Sequence, residues 1–247
     1  MAALPGAERA DRCDQRGDLP SQTRGSRPGG CDPRVIGGKG GLCDRSRLDL
    51  EAGVRAEATA EVTRLTCLLA PLARFIHAFD GSLHMLEVAA AKLRASGFEN
   101  WRVAVGDHRR ISAPDGQADV AIAGWSVCYV VGEAATWRAE LDTVLAEMRR
   151  VLRPGGMIIL LETLGTGCEQ PDPPSKLVPY YDDLEAGGFQ RCWIRTDYRF
   201  ADRDEAESLT RFFFGEAMVK KIQTRGEDVL LPECTGIWWK KPPIQTA

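Results

Sequence analysis

The sequence predicts an α/β fold, a doubly wound and mostly parallel sheet. Short apolar runs bounded by Gly, Pro or Asp are typical of strands buried on both faces, and the central part of the chain contains Trp101–Val105, Asp119–Ala123 and Met157–Glu162. Between the last two runs, apolar residues recur at helical spacing from Trp137 to Leu152. The turn 153–156, Arg-Pro-Gly-Gly, ends that helix. A strand–helix–strand unit predicts parallel pairing, with a ligand at the carboxyl ends of the strands.

The composition is typical of one intracellular domain. The chain has 247 residues, 44% of them hydrophobic, with 32 Lys and Arg against 35 Asp and Glu. These totals allow one sizeable core and provide no strong basic field that would attract nucleic acid. No apolar run reaches the ~20 residues that cross a bilayer, and we find no secretion signal, so we expect no membrane partner and a cytoplasmic location. The eight cysteines form no C-x-x-C pair, which favours reduced thiols and no metal site.

The N-terminal segment differs from the rest of the chain. Residues 1–47 are rich in Gly, Arg, Pro, Asp and Ser and lack apolar periodicity, which predicts a disordered or low-complexity segment. Its arginines leave open an organelle-targeting peptide. Acids such as Glu8, Asp11 and Asp14 weaken that alternative, because transit peptides avoid acids. The folded domain is therefore predicted over residues 48–247.

The elements before the central runs alternate between helix and strand, as a doubly wound sheet requires. Residues 56–69 carry a helical apolar stripe, and the stripe extends back far enough that residues 51–69 could form a single helix. Phe75–Asp80 is a short strand that ends on an acid. Ser82 is a suitable N-cap for the helix Leu83–Ala95 that follows.

The C-terminal part continues with two more helices and two more strands. Phe212–Phe214 lie in the second of these helices, and we expect them to be mainly core, although they could roof an acceptor pocket. The last strand precedes two prolines and is predicted at an edge of the sheet. The four elements are a helix Lys176–Ala186, a strand Phe189–Asp197, a helix Asp204–Lys221 and a strand Thr235–Lys240.

Two acids follow strands at the predicted ligand-binding edge. Asp80 ends its strand, where a carboxylate accepts hydrogen bonds from ribose hydroxyls, although it could merely stabilise the N-terminus of the next helix. Asp107 follows the strand that begins at Trp101, where it could accept from an adenine amino group or simply occupy a solvated turn. The two acids lie one strand–helix–strand unit apart, and this spacing favours a nucleotide site.

Four motifs, in order, resemble class I S-adenosylmethionine-dependent methyltransferases, in particular the type 11 group. The resemblance covers about residues 62–200 and implies a Rossmann-like, seven-stranded sheet whose last strand is antiparallel. It also implies S-adenosylmethionine as the cofactor. The motifs are the acid-x-Ser-x-x-Met-Leu segment Asp80–Leu86, the turn Gly106-Asp107, the strand and loop Ala118–Trp125, and the turn Leu152–Gly156.

The resemblance also assigns roles by position. It implies that Trp125, Ser126 and Tyr129 border the methyl acceptor, although packing explains the aromatic residues Trp125 and Tyr129 equally well. No catalytic residue is named, because methyl transfer depends mainly on proximity and alignment. The implied cofactor-binding positions are Asp80 and Gly81 at the ribose, Gly106, Asp107 and His108 at the adenine, and Gly124 and Trp125 at the methionine end.

The glycine-rich loop that follows the first strand in this family has no good counterpart. Its nearest match, Leu48–Val54, supplies only Gly53, and Asp49 lies 31 positions before Asp80 where about 20 are expected. One hypothesis is a degraded first strand and loop that still bind the cofactor weakly. The other is that residues 1–61 replace the usual N-terminus, so that the central strand is missing. The onset of the resemblance near Val62 favours the second.

The sequence therefore predicts a methyltransferase that uses S-adenosylmethionine and acts on an O, N or C nucleophile of a small-molecule or protein acceptor. The alternative is a catalytically impaired protein of the same fold that acts as a binding or regulatory module. A nicotinamide-dependent dehydrogenase is a third alternative, and it would need the same missing glycine loop.

Overall fold

A seven-stranded sheet forms the centre of the structure, a computed structural model that describes residues 54–59, 62–131 and 136–242, with side chains from Arg64 onward. A second, three-stranded sheet lies in the chain between β6 and β10. In chain order the strands are β1 Val54–Thr59, β2 Ala73–Asp80, β3 Trp101–Val105, β4 Ala118–Gly124, β5 Leu152–Thr166, β6 Gln190–Arg195, β7 Tyr198–Phe200, β8 Gln223–Arg225, β9 Asp228–Leu231 and β10 Glu233–Lys240.

The helices α2 (Leu83–Ala95) and α6 (Arg203–Phe214) begin after residues whose side chains cap them. Ser82 Oγ accepts a hydrogen bond from the Met85 amide at 3.4 Å, and Asp202 Oδ1 accepts one from the Glu205 amide at 2.8 Å. None of the helices in the described ranges is both long and apolar enough to cross a bilayer. The helices are α1 Val62–Leu69, α2 Leu83–Ala95, α3 Val127–Val131, α4 Trp137–Val151, α5 Val178–Ala186, α6 Arg203–Phe214 and α7 Glu216–Val219.

The strand order of the large sheet is β3-β2-β1-β4-β5-β10-β6. Each pairing among β1 to β5 is parallel, whereas β10 is antiparallel to both β5 and β6. The parallel strands therefore end at one edge, which brings together the residues that follow β2, β3 and β4. The predicted sheet with an antiparallel last strand is confirmed, as are the bounds of the helix Leu83–Ala95 and of the strand Trp101–Val105.

Helices cover both faces of this sheet, as a doubly wound fold requires. On one face, Ala121 and Ala123 of β4 join a buried cluster with residues of α4 and α5. On the other face, Val120 and Ile122 pack with Leu65 of α1. Successive strand residues point to opposite faces, so burial on both sides explains why the β4 run is apolar without alternation.

The predicted helix over residues 56–69 is wrong over residues 56–59 and right over Val62–Leu69. Val54–Thr59 is the central strand β1, in which Ala58 pairs with Ala78 of β2 and with Ile122 of β4. Pairing on both sides satisfies the backbone of a segment whose spacing also fits a helix, so tertiary context overrides the local pattern. The single helix over residues 51–69 and the missing central strand are both wrong.

Three predictions in the C-terminal part also change. β10 lies inside the sheet rather than at its edge. The predicted helix over residues 204–221 is divided into α6 and α7 by Gly215, whose φ of 85° is incompatible with a continuous helix. Phe212–Phe214 are exposed, with Phe212 at 63%, so they are not core. The prediction for residues 1–47 lies outside the described residues.

Candidate functional site

The carboxyl ends of β2 and β3 bring the two acids of the sequence prediction together. Asp80 is the last residue of β2 and pairs in register with Val105 of β3. The Gly106 amide then donates to the Asp80 carbonyl at 3.1 Å, which holds the turn containing Asp107 against the end of β2. Because β2 lies beside the central strand, this pair occupies the edge at which such sheets bind ligands.

Asp80 is half-buried, and one of its carboxylate oxygens is already engaged. Oδ1 accepts a hydrogen bond from the Ser82 amide at 2.7 Å, in the Gly81 turn that begins α2. Burial raises the pKa of the Asp80 carboxyl, and the Ser82 hydrogen bond opposes that rise. Oδ2 receives no donor from the part of the chain that the structure describes. Oδ1 can therefore stabilise the start of α2 while Oδ2 remains available to accept from a ribose hydroxyl.

Asp107 is more exposed, and Arg109 holds it. The Arg109 side chain donates to Oδ2 at 2.6 Å, and the Arg109 amide donates to Oδ1 at 2.8 Å. The hydrogen bonds from this side chain lower the pKa of Asp107 to about 2, so the carboxyl is an anion at neutral pH. Arg109 also approaches Glu140 of α4 at 3.4 Å. The carboxylate that the resemblance assigns to adenine is thus already paired within the protein.

His108 lies between Asp107 and Arg109, and its Nε2 atom is buried. Nε2 has no hydrogen-bond partner among the described residues. Burial lowers the pKa of this imidazole, and the neighbouring Asp107 opposes that change. A neutral ring at pH 7 follows. Its place at the adenine stays a prediction.

A strained turn follows β4. Trp125, with a φ of 47°, is the one residue other than glycine with positive φ within the described ranges. Its amide donates to the Leu161 carbonyl of β5 at 2.7 Å, and the Arg64 guanidinium of α1 lies 5.7 Å from the centre of its ring. A side chain in this backbone region costs of order 1–3 kcal/mol, so neighbouring contacts must hold the turn.

Two of the residues predicted to border the acceptor lie in different environments. Ser126 is 3% exposed, and its hydroxyl has no partner among the described residues, whereas Tyr129 is 80% exposed. The Tyr129 amide donates to the Ser126 carbonyl at 3.2 Å, which makes the two part of one tight turn. Ser126 faces the interior, and the exposed Tyr129 is the better candidate for contact with a ligand from solvent.

Sequence reasoning missed Arg109 and Glu162. Glu162 is fully buried, and its Oε1 accepts hydrogen bonds from the Cys128 amide at 3.1 Å and from the Tyr180 hydroxyl at 3.4 Å. Burial raises the pKa of Glu162 to about 7, and its hydrogen bonds oppose that rise. The signal available in the sequence was an acid that ends an apolar run. Arg109 gave no signal, because its pairing depends on the conformation of the turn.

The described residues fit one half of the implied cofactor better than the other. The open Oδ2 of Asp80 beside the Gly106 turn suits an adenosine. At the methionine half, the sequence contains no glycine between Val54 and Asp80, and the connection between β1 and α1 is Ala60-Glu61, outside the described residues. The close backbone approach that glycines allow is therefore not encoded at that connection.

The strand order and the site together define a class of protein. A parallel sheet with one antiparallel strand next to the last position, and acids at the ends of β2 and β3, is the arrangement of class I S-adenosylmethionine-dependent methyltransferases. Residues 59–160 match the family model described as a methyltransferase domain. This match covers less than half of the chain, and over those residues it confirms the resemblance to a methyltransferase domain that the sequence motifs indicated.

Curated relatives and solved structures agree with this class. The chain is 33% identical over 88 residues to a demethylmenaquinone methyltransferase of Geobacillus kaustophilus (strain HTA426) and 32% identical over 88 residues to that of Geobacillus stearothermophilus. Each match covers 36% of this chain and 34% of the relative, so the chain matches about one third of their length.

Among solved structures, a SAM-dependent methyltransferase from Aquifex aeolicus is similar at a TM-score of 0.50 and 15% identity, over 78% of this chain and 85% of that one. A second solved structure is similar at a TM-score of 0.54 and 16% identity, over 81% of this chain and 80% of that one. It is described by the conversion of a disulfide bond into a thioacetal group during echinomycin biosynthesis. At these identities the similarity shows the fold alone.

Proposed function

We propose that this protein is an S-adenosylmethionine-dependent methyltransferase that acts on an O, N or C nucleophile of a small-molecule or protein acceptor. The observation that carries the proposal is the contact between Asp80 and the Gly106 turn at the ligand edge of a methyltransferase sheet. The curated relatives, which are methyltransferases by name, support the same type of reaction.

Three parts of the edge would share the binding. The open Oδ2 of Asp80 would accept hydrogen bonds from the ribose hydroxyls, and the Gly106-Asp107 turn would lie along the adenine. The backbone at Trp125 would face the methionine end. When bound, the cofactor supplies an electrophilic methyl group on a sulfonium. The chain contributes by alignment against the acceptor, which can lower the barrier without a dedicated base.

The alternative is a methyltransferase fold that serves as a binding or regulatory module. The observation that favours it is the sequence from Val54 to Asp80, which lacks the glycines of the cofactor loop. Under this alternative, the adenosine half of the site would contribute too little affinity to hold the cofactor alone.

Calorimetry with S-adenosylmethionine separates the two functions. We expect the wild-type chain to bind the cofactor and Asp80→Asn to weaken binding at least about tenfold, since an amide is a poorer acceptor for two hydroxyls than a carboxylate. Asp228→Asn is a matched control, because Asp228 lies in the small sheet and pairs there with Arg199. Equal affinities for wild type and Asp80→Asn would refute the assigned ribose site. No binding by the wild type would refute the proposed function and favour the alternative.

A further inference from the structure

The turn that follows β4 is held by two consecutive residues of β5. The Leu161 carbonyl accepts from the Trp125 amide at 2.7 Å, and the Glu162 carboxylate accepts from the Cys128 amide at 3.1 Å. These bonds fix both ends of the segment 125–128, which contains the left-handed Trp125. Strained backbone persists only where its surroundings determine it, and here those surroundings are the carboxyl end of β5.

Glu162 is an unusual residue for this task. It is 0% exposed, so its carboxyl is removed from water, and its Oε2 atom has no partner among the described residues. Burying a carboxyl with incomplete hydrogen bonding is costly, and an apolar residue of similar size is often better tolerated at a buried site. An acid at this position is therefore explained by the acceptor oxygen that it offers to the Cys128 amide, rather than by packing.

The groups around the carboxyl agree with this view. The Tyr180 hydroxyl donates to the same Oε1 atom at 3.4 Å, so that α5 and α3 are both linked to β5 through one oxygen. The neighbouring Tyr181 hydroxyl donates instead to the Thr163 carbonyl at 2.7 Å. The Cys128 amide couples Glu162 to the turn, and interactions of the carboxyl with the Cys128 thiol and the Val127 backbone reinforce that link.

We propose that Glu162 is a positioning residue, which holds the 125–128 turn in the conformation that receives the methionine end of the cofactor. This inference rests on the proposed function for its ligand, but the positioning itself is a property of the protein without cofactor. The acidic side chain acts through the turn and touches neither the cofactor nor the acceptor.

Two substitutions distinguish the effect of the acceptor oxygen of Glu162 from the effect of its side-chain size. Glu162→Gln keeps an oxygen that can accept from the Cys128 amide, whereas Glu162→Met keeps the length of the chain and removes the acceptor. Thr163→Val is the control. It removes a part-buried hydrogen bond to Glu233 and one from the Gly165 amide, both made by the adjacent residue of the same strand, and none of these contacts involves residues 125–128. Amide hydrogen exchange of the full-length, cofactor-free protein then reports on segment 125–129.

We expect exchange in this segment to rise at least about tenfold in Glu162→Met and to stay within about threefold of wild type in the other two variants. S-adenosylmethionine affinity should fall in parallel, at least about tenfold for Glu162→Met and less than about threefold for Glu162→Gln. Unchanged exchange in Glu162→Met, or an equal rise in Thr163→Val, would overturn the positioning role. If the wild type binds no cofactor, the proposed function fails, and hydrogen exchange still decides the positioning role.

Discussion

At the scale of single residues, the two acids of the candidate site are not equivalent. Burial raises the pKa of Asp80, whereas hydrogen bonds from the Arg109 side chain lower that of Asp107 to about 2. A carboxylate that has lost part of its hydration gains from new donors, and one that is already paired gains little. We therefore expect ribose contacts at Asp80 to contribute more cofactor affinity than adenine contacts at Asp107.

This difference gives a prediction for Arg109. Arg109→Ala should release the Asp107 carboxylate for the adenine amino group and remove a cation from the binding edge of a positively charged ligand. We expect S-adenosylmethionine to bind about threefold more tightly, a modest effect because the ion pair is exposed. Titration calorimetry of the variant measures it. Arg138→Ala, which removes an exposed ion pair to Asp183, is the control and should leave the affinity unchanged. Weaker binding by Arg109→Ala would mean that Arg109 itself contacts the cofactor.

The sequence predicted the positions of these acids but not their electrostatic state. Asp80 and the Ser82 cap follow from a strand that ends on an acid and a helix that begins with serine, which are local signals. The Arg109 pair and the buried Glu162 depend on contacts that only the folded chain creates. Glu162 and Cys128 lie 34 positions apart, so no local pattern could join them.

At the scale of elements, the alternating centre of the chain was predictable and its beginning was not. The strand at 118–124 carries an apolar run that matches burial on two faces, whereas the strand at 101–105, also predicted as buried on both faces, is an edge strand with no buried residue. β1 instead reads Val-Arg-Ala-Glu-Ala-Thr, which is too polar to be recognised as a central strand, and its spacing continues the stripe of α1. The pairing with β2 and β4 identifies β1 as a strand, and this pairing is visible only in the folded chain.

Hydrogen exchange tests the assignment of β1. Its residues pair with strands on both sides, whereas β3 at the edge pairs only with β2 within the described sheet. Amides of residues 55–59 should therefore exchange at least about tenfold more slowly than those of residues 101–105, which serve as an internal control. Faster exchange in residues 55–59 than at the edge strand would contradict the central position of β1.

At the scale of the whole molecule, the sheet order explains how the residues of the proposed site come together although the glycine-rich motif is incomplete. Parallel strands deliver the residues after β2, β3 and β4 to one edge whatever the sequence of the β1–α1 connection. The residues proposed for the adenosine and the Trp125 turn therefore lie at one edge, while the sequence has no glycine between Val54 and Asp80. Strand order thus fixes the position of the proposed site independently of the β1–α1 motif.

The free energy of unfolding of the domain should depend on pH through the buried Glu162. Its pKa is raised from 4.5 to about 7, so the folded state prefers the protonated acid. Stability from this group is full below pH 4.5 and is lost as the pH rises to about 7, by up to about 3 kcal/mol. Groups whose pKa is lowered in the folded state act in the opposite direction. His77 and His108 are such groups, so the folded protein loses the stability they contribute as the pH falls below the ordinary pKa of histidine.

Comparison with Glu162→Gln removes those other contributions, because the glutamine does not titrate. The free energy of unfolding of the variant relative to wild type should increase between pH 5 and pH 7.5 by about 2 kcal/mol, even if the variant is less stable than wild type at pH 5 through its buried amide. Urea unfolding at several pH values measures the difference. A constant difference across this range would show that Glu162 keeps an ordinary pKa in the folded protein. In that case the domain would lose no stability near neutral pH through the ionisation of Glu162.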